Sequence, residues 1–323
     1  MVFAPDWSGD GGVSAIFPDG RTVRHLAKNW PEVARQTGLS EPLRPNGICL
    51  LPGGDFLLAH LGAELGGIFR LSPDGSIRPE CTHSCKGPLP PCNFVTVDRK
   101  GRTYLTVSTR HVPRARAYRS DIADGFIALI ENGQARILAD GLGYTNECLP
   151  HPDGKRLFVN ETFARRLASF DIDDNGELTN RQTIATFGEG TFPDGLAFDQ
   201  EGSAWVTSIV SNRVLKVGSD GTITTYLEDC DPEHLTWVEN AWCNHTMGRP
   251  HLDKAAGKYL RNVSNLAFCG ERLDHGILGC LLGNQLAKIP MPVRGAEPTH
   301  WTSDITDLIR ALEKMPDAEQ PLT

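Results

Sequence analysis

The sequence predicts an all-β protein, a six-bladed β-propeller whose four-stranded antiparallel blades surround a central channel. A motif that begins with Asn or Asp, continues through an apolar strand and ends in Gly recurs along the 323 residues. Four of its copies lead into a hairpin with an Asp-Gly or Asn-Gly turn, which is a strong hairpin signal. The composition is rich in turn formers, with 33 Gly and 22 Pro. The repeat period of roughly 45–55 residues is that of a propeller blade.

Five blades are identified from the repeat. They cover residues 46–80, 93–139, 146–185, 194–228 and 265–301. The hairpin at residues 11–26, with the strand VFAPDW before it, supplies most of another blade, and we expect the ring to close between these N-terminal strands and the last blade. The propeller domain therefore covers residues 1–301, and residues 302–323 form a polar tail with one short amphipathic helix. A solenoid of helix pairs is excluded, because no unit has helical periodicity.

Composition and charge limit the classes of function. Hydrophobic residues make up 40% and charged residues 22% of the chain, as in a soluble globular protein. The net charge of −8 argues against nucleic acid as a partner. No apolar run reaches the roughly 20 residues of a bilayer span, and the N-terminus lacks the features of a signal peptide. We therefore expect a cytoplasmic protein that binds a small molecule rather than a membrane, with its nine cysteines reduced. Its oligomeric state is left open.

The repeated Asn or Asp starts the first strand of each blade, and first strands line the channel of a propeller. We therefore expect a ring of polar side chains at one mouth of the channel: Asn46, Asn93, Asn146, Asp194 and Asn265. The alternative is that these residues only form turns at strand starts. That explanation suits Asn46 and Asp194, which precede Gly, and fails for the other three. Amide and carboxylate oxygens are the ligands that Ca²⁺ prefers.

A second set of polar residues lies at the ends of the second strands, on the same face. Its members are Asp6, His60, Ser108, Glu161 and Ser208. His60 and Glu161 are the best candidates for acid–base assistance, and together with Asn46 and Asn265 they are candidate substrate contacts.

Long connections on this face are expected to wall a pocket, because long loops in compact domains are usually functional. They cover residues 28–45, 81–92, 109–124 and 229–264. Residues 229–264 form either a lid or a structural excursion. The basic stretch from Arg110 to Arg119, which includes Arg114, either receives a substrate carboxylate or is a solvated loop.

Four segments carry a resemblance to a known family: RPNGICLLPGG, PPCNFVTVDRKGRTYLT, GYTNECLPHPDGKRLFVNET and FPDGLAFDQEGSAWVTS. As a set they resemble the senescence marker protein, gluconolactonase and luciferin-regenerating enzyme family, and the resemblance covers nearly the whole chain. It implies a six-bladed propeller with a divalent metal in the channel. Many members of that family hydrolyse lactones, and related enzymes hydrolyse organophosphates.

The resemblance implies that Asn146 and Asp194 bind the metal, with Asn93 as a further ligand or substrate contact. It also implies a glutamate ligand in the first strand of the first blade, usually in a Glu-Gly-Pro or Glu-Ser-Pro motif, which this sequence lacks. Either the N-terminus is truncated, or the site uses another group. Asp6 or a water is then the expected replacement, and Glu147 is a less expected one because strand alternation turns it away from the side of Asn146. Pro91 stands where family members that act on sugar lactones often have Arg, which argues against an aldonolactone substrate.

The sequence therefore predicts a metal-dependent hydrolase that opens a lactone, with Asp194 and Asn93 as catalytic residues. Asp194 would hold the metal and orient or deprotonate the attacking water, while Asn93 and Asn146 are neutral ligands. The metal expected first is Ca²⁺, with Mg²⁺, Mn²⁺, Zn²⁺ and Fe²⁺ as alternatives. Two other functions remain open, a metal-stabilised binding propeller without turnover and a hydrolase of organophosphates or phosphoesters that uses the same metal.

Overall fold

The structure is a computed structural model that describes residues 1–255, 257–281, 283 and 285–318. Over these residues the strands form six sheets, and the sheets surround a channel as the blades of a propeller. The predicted six-bladed all-β fold is therefore confirmed. In a propeller each blade packs against a neighbouring blade on both of its faces. The strands therefore need apolar residues on both sides, and this sequence supplies them.

The described strands are given blade by blade. The first blade contains β1 (Val2–Asp6), β2 (Gly12–Ile16) and β3 (Thr22–Leu26). The second contains β4 (Pro45–Leu50), β5 (Phe56–Leu61), β6 (Gly66–Leu71) and β7 (Ile77–Cys81). Two short strands, β8 (His83–Ser84) and β9 (Gly87–Pro88), follow. The third blade contains β10 (Cys92–Val97), β11 (Thr103–Val107), β12 (Gly125–Glu131) and β13 (Gln134–Leu142), and β8 pairs in parallel with its outer strand β13.

The remaining blades follow the same antiparallel order. The fourth contains β14 (Thr145–Pro150), β15 (Arg156–Glu161), β16 (Arg166–Ile172) and β17 (Leu178–Thr186). The fifth contains β18 (Thr191–Phe198), β19 (Ala204–Val210), β20 (Arg213–Val217) and β21 (Ile223–Leu227). The sixth contains β22 (Val263–Cys269), β23 (His275–Cys280) and β24 (Ala287–Pro290).

The blades differ from the predicted four strands at the two ends of the chain. In the described part of the chain, the first and the sixth blades have three strands each, whereas the third is extended to six by β8 and β9. The turn Pro18–Gly20 between β2 and β3 repeats Pro73–Gly75, which joins the third and fourth strands of the second blade. By this comparison β1 corresponds to a second strand of the repeat.

Helices occur in the connections that the sequence leaves unassigned and in the C-terminal segment. They are α1 (Trp30–Thr37), a 3-10 helix (Arg114–Ala117), α2 (Pro232–Cys243), α3 (Arg249–Asp253) and α4 (Thr306–Glu313). The helix α2 begins at a favourable cap, because the carboxylate of Asp231 accepts a hydrogen bond from the backbone N–H of Glu233 at 2.9 Å. Among the described residues, no helix combines the length and the apolar character that crossing a membrane would need.

Hydrophobic clusters join each blade to the next. Over the described residues, five clusters connect the first blade through to the sixth, and none connects the sixth back to the first. Instead, Leu308 and Leu312 of α4 are buried in the cluster between the first two blades, and the N–H of Ala318 donates to the carbonyl of Thr22 at 2.7 Å. The C-terminal segment thus packs against the start of the propeller. Of the predicted tail, residues 319–323 lie outside the described residues.

Candidate active site

The repeated Asn or Asp coincides with a β-bulge in the inner strand of five blades. The strand pairing shifts by one residue at the same place in β4, β10, β14, β18 and β22. A bulge inserts an extra residue, bends the strand and redirects side chains. This explains why residues that are unfavourable in regular strands recur here. The bulges redirect polar side chains toward the channel, a cavity of about 2600 Å³.

Asn146 is held so that its amide oxygen is left for the channel. Its Nδ2 donates to Thr162 Oγ1 at 2.9 Å, and the Thr162 hydroxyl donates in turn to the carbonyl of Pro193 at 2.8 Å. Because that hydroxyl has one hydrogen, it must accept from Asn146, which fixes which end of the amide is the nitrogen. The side chain is nine-tenths buried, with 5% exposure.

Asn93 is oriented in the same way by the neighbouring second strand. Its Nδ2 donates to Ser108 Oγ at 3.0 Å. Its Oδ1 is buried and has no hydrogen-bond partner among the residues that the structure describes. Such an oxygen is costly to bury unless it binds something, because it has lost its water. Asn93 lines the channel cavity and is 6% exposed.

Asp194 lies in the bulge of β18 and lines the same cavity. The bulge is held from the fourth blade, since Asn160 Nδ2 donates to the carbonyls of Asp194 and Gly195, both at 3.0 Å. Burial raises the pKa of the Asp194 carboxyl to about 7, and a hydrogen bond with Asn146 opposes part of that rise. Within the described part of the chain, no Lys, Arg or His forms an ion pair with this carboxylate.

Glu147 also lines the channel cavity, next to Asn146. The expectation that it faces away from the side of Asn146 is wrong, because strict alternation ends at the bulge between Thr145 and Cys148. Its Oε2 accepts a hydrogen bond from the N–H of Leu196 at 2.9 Å, and its Oε1 accepts one from Asn265 Nδ2 at 2.7 Å. The pKa of Glu147 is raised to about 8. Burial is the largest cause and the charge of Asp194 adds to it, while the two hydrogen bonds oppose the rise.

Asn46 and Asn265, two of the predicted substrate contacts, line the cavity as well. Asn46 Nδ2 donates to the carbonyl of Asn93 at 2.9 Å, and Asn265 is engaged by Glu147. The structure therefore brings all five members of the predicted ring to the channel, together with Glu147. The sequence contains one signal for the position of Glu147. It directly follows a repeated Asn, a residue that is unfavourable inside a regular strand.

His60 and Glu161, the predicted acid–base pair, are not among the residues that line the cavity. The ring of His60 is buried beside Trp30, with the ring centroids 5.5 Å apart, and its Nδ1 accepts from the N–H of Arg44 at 3.0 Å. Burial, with a smaller effect of the Arg44 charge, lowers the pKa of His60 to about 4. It is therefore a neutral core residue at physiological pH.

Glu161 is the centre of a buried ionic cluster. It accepts hydrogen bonds from the N–H of Gly143 at 2.6 Å, from Arg166 at 2.7 and 2.8 Å, and from Arg181 at 2.8 Å. Burial alone would raise its pKa, but the bonds from Arg166 and Gly143 and the charge of Arg181 leave the pKa below its ordinary value. This carboxylate has its partners within the fold.

The mouth of the cavity is basic and aromatic. Of the predicted basic stretch, Arg114 lines the channel cavity, while Arg116 and Arg119 line a separate small pocket. Arg110 is paired with Asp140 at 2.8 Å. Tyr118, Tyr144 and Phe163 form an aromatic cluster at the cavity wall.

Residues 229–264 form part of the same wall. Arg249 and Leu252 line the cavity, and Leu252 packs into the aromatic cluster. The helix α2 is anchored by a buried ion pair between Arg165 and Glu239, and Glu239 also accepts from the N–H of Gly190 at 2.7 Å. The described part of this segment therefore packs against the fourth and fifth blades. Residue 256 lies outside the described residues.

The donor set available to a cation consists of oxygens. Over the described residues, no three His, Cys, Asp or Glu side chains are grouped as a metal site. The channel instead offers the amide oxygens of Asn93 and Asn146 and the carboxylates of Asp194 and Glu147. An orphaned amide oxygen next to buried carboxylates without a cationic partner fits a hard divalent cation.

Comparison with known proteins gives the same family that the motifs suggest. The SMP-30/Gluconolactonase/LRE-like region matches residues 24–229. A 6-deoxy-6-sulfogluconolactonase of Pseudomonas putida is 29% identical over 92 residues, which are 28% of this chain and 32% of that protein. The chain thus matches about a third of the length of this curated relative.

Two solved structures share the fold. A gluconolactonase of Xanthomonas campestris superimposes with a TM-score of 0.60 at 19% identity, over 87% of this chain and 78% of that one. A calcium-binding protein, regucalcin, of Agrobacterium tumefaciens superimposes with a TM-score of 0.58 at 14% identity, over 88% and 83% of the two chains. At these identities the likeness concerns the fold.

Proposed function

Because this chain belongs to the SMP-30/gluconolactonase/LRE-like family, we propose that it hydrolyses a lactone with the help of a divalent cation held in the channel. The observation that carries the proposal is the set of oxygens of Asn93, Asn146 and Asp194 in the channel, which are buried, with no ion pair to Asp194 among the described residues. The names of its relatives, a sulfogluconolactonase and a gluconolactonase, support the substrate class. The calcium-binding neighbour supports Ca²⁺ as the first candidate ion.

A bound divalent cation supplies Lewis-acid chemistry, since it polarises a carbonyl and stabilises the oxyanion that forms on it. Asn146 and Asp194 would hold the cation, with Asn93 as a third ligand. Oxygen ligands of this kind suit Ca²⁺, and Mg²⁺ and Mn²⁺ are the next candidates.

Asp194 would also orient the attacking water. Its carboxylate is buried, and it can serve both roles only if one carboxylate oxygen binds the cation and the other stays free to accept a proton. It would take one proton from the water as the oxygen attacks the lactone carbonyl. The ring C–O bond then breaks, and the ring oxygen takes up a proton as the hydroxy acid forms. Asn93, which lines the cavity and whose amide oxygen has no partner among the described residues, would position the water or the substrate.

The walls of the cavity bear on the choice of lactone. The side nearest the 3-10 helix carries the aromatic cluster of Tyr118, Tyr144 and Phe163, with Arg114 beside it. Such a wall favours a lactone with an apolar part and an anionic group over a neutral sugar lactone. Pro91 in place of a family arginine supports the same preference.

Hydrolysis assays before and after metal removal test the proposal. The purified chain is incubated with alkyl lactones, lactones that carry a carboxylate, aldonolactones, aryl esters and a phosphotriester. We expect lactone opening that is lost after chelation and restored by adding Ca²⁺ or Mn²⁺. Activity that survives thorough metal removal would contradict the metal mechanism. Turnover of the phosphotriester alone would favour the phosphoester alternative, and metal binding without turnover of any compound would favour a binding protein.

A further inference from the structure

We infer that Glu147 is the second carboxylate of the cation site, beside Asp194. This inference rests on the proposed function and adds to it the residue that completes the charge of the site. When both carboxyl groups are ionised, Asp194 and Glu147 carry two negative charges, which match one divalent cation. Two independent features of the structure carry the inference: the bulge that redirects Glu147, and the partners that hold it there.

The bulge in β14 places Glu147 in the channel. Thr145 pairs with Glu161 and Cys148 pairs with Val159, so three steps along β14 correspond to two along β15. The extra residue lets both Asn146 and Glu147 line the cavity, which a regular strand forbids. No other inner-strand bulge of the repeat carries a carboxylate in this second position, since Gly47, Phe94, Gly195 and Leu266 follow the repeated residue elsewhere.

The partners of Glu147 fix its position without neutralising its charge. One carboxylate oxygen accepts from the N–H of Leu196 and the other from Asn265 Nδ2, so that the fifth and sixth blades both hold it. Both donors are neutral, and each carboxylate oxygen keeps a further lone pair. Its side chain is 7% exposed. A buried carboxylate without a cation is unfavourable, and a second one in the same cavity makes the need for a cation greater.

The orphaned oxygen of Asn93 points to a ligand independently of the acidic residues. Asn93 is 6% exposed, lines the same cavity, and its Oδ1 has no partner among the described residues. Hydrogen bonds within the protein cannot explain an acceptor that is left empty, whereas a cation that the neighbouring carboxylates also bind explains it.

Asp6 provides a matched contrast in the same cavity. It is buried to a similar degree, with 8% exposure, and it also lines the channel. However, its carboxylate accepts from the hydroxyls of Ser8 at 2.5 Å and Ser14 at 2.7 Å, and Arg24 lies 3.5 Å away. Asp6 therefore has its partners within the first blade. Asp6 is less suited than Glu147 to be the second carboxylate of the cation site, and this corrects the expectation that Asp6 takes that role.

Calorimetric titration of the metal-free full chain with Ca²⁺ and with Mn²⁺ tests the inference. Three proteins are compared: the wild type, Glu147→Gln, and the control Asp6→Asn, which removes a charge from the same cavity. We expect Glu147→Gln to weaken binding of both ions by about 10- to 100-fold, and Asp6→Asn to leave it unchanged. At a pH at which the Glu147 carboxylate is ionised, the melting temperature of metal-free Glu147→Gln should equal or exceed that of the wild type, because a buried charge without a cationic partner is removed.

Each other outcome is decisive. If Glu147→Gln binds both ions as the wild type does, Glu147 serves only to join the blades, and the inference fails while the proposed function stands. If the wild type binds neither ion, the metal requirement of the proposed function fails, and the inference fails with it. If Glu147→Gln does not fold, Glu147→Asp is titrated in its place. This variant keeps the carboxylate but shortens the side chain by one methylene group. Metal affinity at the wild-type level in Glu147→Asp would then overturn the inference.

Discussion

Glu161 and Asp194 are two carboxylates in adjacent blades, both buried and both built on strands, and their surroundings are opposite. Glu161 is fully buried and accepts hydrogen bonds from two arginines and a backbone N–H. Asp194 is 8% exposed and, over the described residues, has no cation beside it. The pKa of Glu161 is accordingly below its ordinary value, and that of Asp194 is raised to about 7.

This contrast separates burial from function. Burial disfavours the charged form of both groups, and the outcome depends on whether the fold supplies a cation. At Glu161 the fold supplies two. At Asp194 the fold supplies none. A pKa raised from 3.8 to about 7 means that the folded, metal-free protein is destabilised by about 4 kcal/mol above pH 7. The destabilisation grows as pH rises from the unfolded pKa to the folded one, and a cation that binds the charged form removes it.

The largest effect is expected from Asp194→Asn. It removes the charge that holds the cation, and we expect metal affinity to fall by roughly a thousandfold, which corresponds to about 4 kcal/mol. Lactone hydrolysis should disappear with it. The metal-free variant should be at least as stable as the wild type, because the site lies outside the apolar clusters between blades. Calorimetric metal titration and thermal unfolding check both statements, and metal binding at the wild-type level would show that the ring is wrongly assigned.

Glu161→Gln should show the reverse pattern. It leaves Arg166 and Arg181 without their carboxylate, and we expect the free energy of unfolding to fall by about 3 kcal/mol, at the low end for a broken buried pair since both arginines are about a third exposed. Metal affinity should not change. Urea unfolding of the metal-free protein measures the loss. If Glu161→Gln is as stable as the wild type and binds the metal more weakly, the proposed difference in role between Glu161 and Asp194 is wrong.

The pH dependence of stability sharpens the comparison further. His60 is buried in its neutral form with a pKa lowered to about 4, so the unfolded chain binds a proton more readily. Its contribution is complete above pH 6.5 and is lost as pH falls, by about 2 kcal/mol between pH 7 and pH 5. The loss should be absent in His60→Gln, provided that variant folds. Urea unfolding of the metal-free protein at the two pH values, with wild type and variant compared, decides the point.

The smallest effect concerns the mouth of the channel. Arg114→Ala should raise KM about three- to fivefold for a lactone that carries a carboxylate, since a partly exposed ion pair is worth up to about 1 kcal/mol. KM for a neutral lactone and the affinity for the metal should stay unchanged. Arg116→Ala is the control, because it lies in the same 3-10 helix but lines a separate pocket. Equal effects of the two variants would remove Arg114 from the site.

The sequence was sufficient for the repeat, the six blades and the residues of the ring, because hairpin turns and repeated Asn or Asp are local signals. It did not predict the orientation of Glu147, since a bulge is a property of how two strands pair. The structure differs from the sequence prediction at His60 and Glu161 for a similar reason. Both lie at strand ends, as the sequence predicts, but the burial of His60 beside Trp30 and the approach of Arg181 to Glu161 depend on distant parts of the chain. The anchoring of α4 in the first cluster is equally non-local.

We propose that the channel carboxylates, and not the ion-paired Glu161, bind a divalent cation. An anomalous difference map of a crystal grown with Mn²⁺, recorded at the manganese edge, tests it most directly. We predict one strong peak in the channel, in direct contact with oxygens of Asp194 and Asn146 and close to Asn93 Oδ1, and no peak at Glu161. A channel without a peak, or an ion bound by groups that do not include Asp194, would contradict the claim.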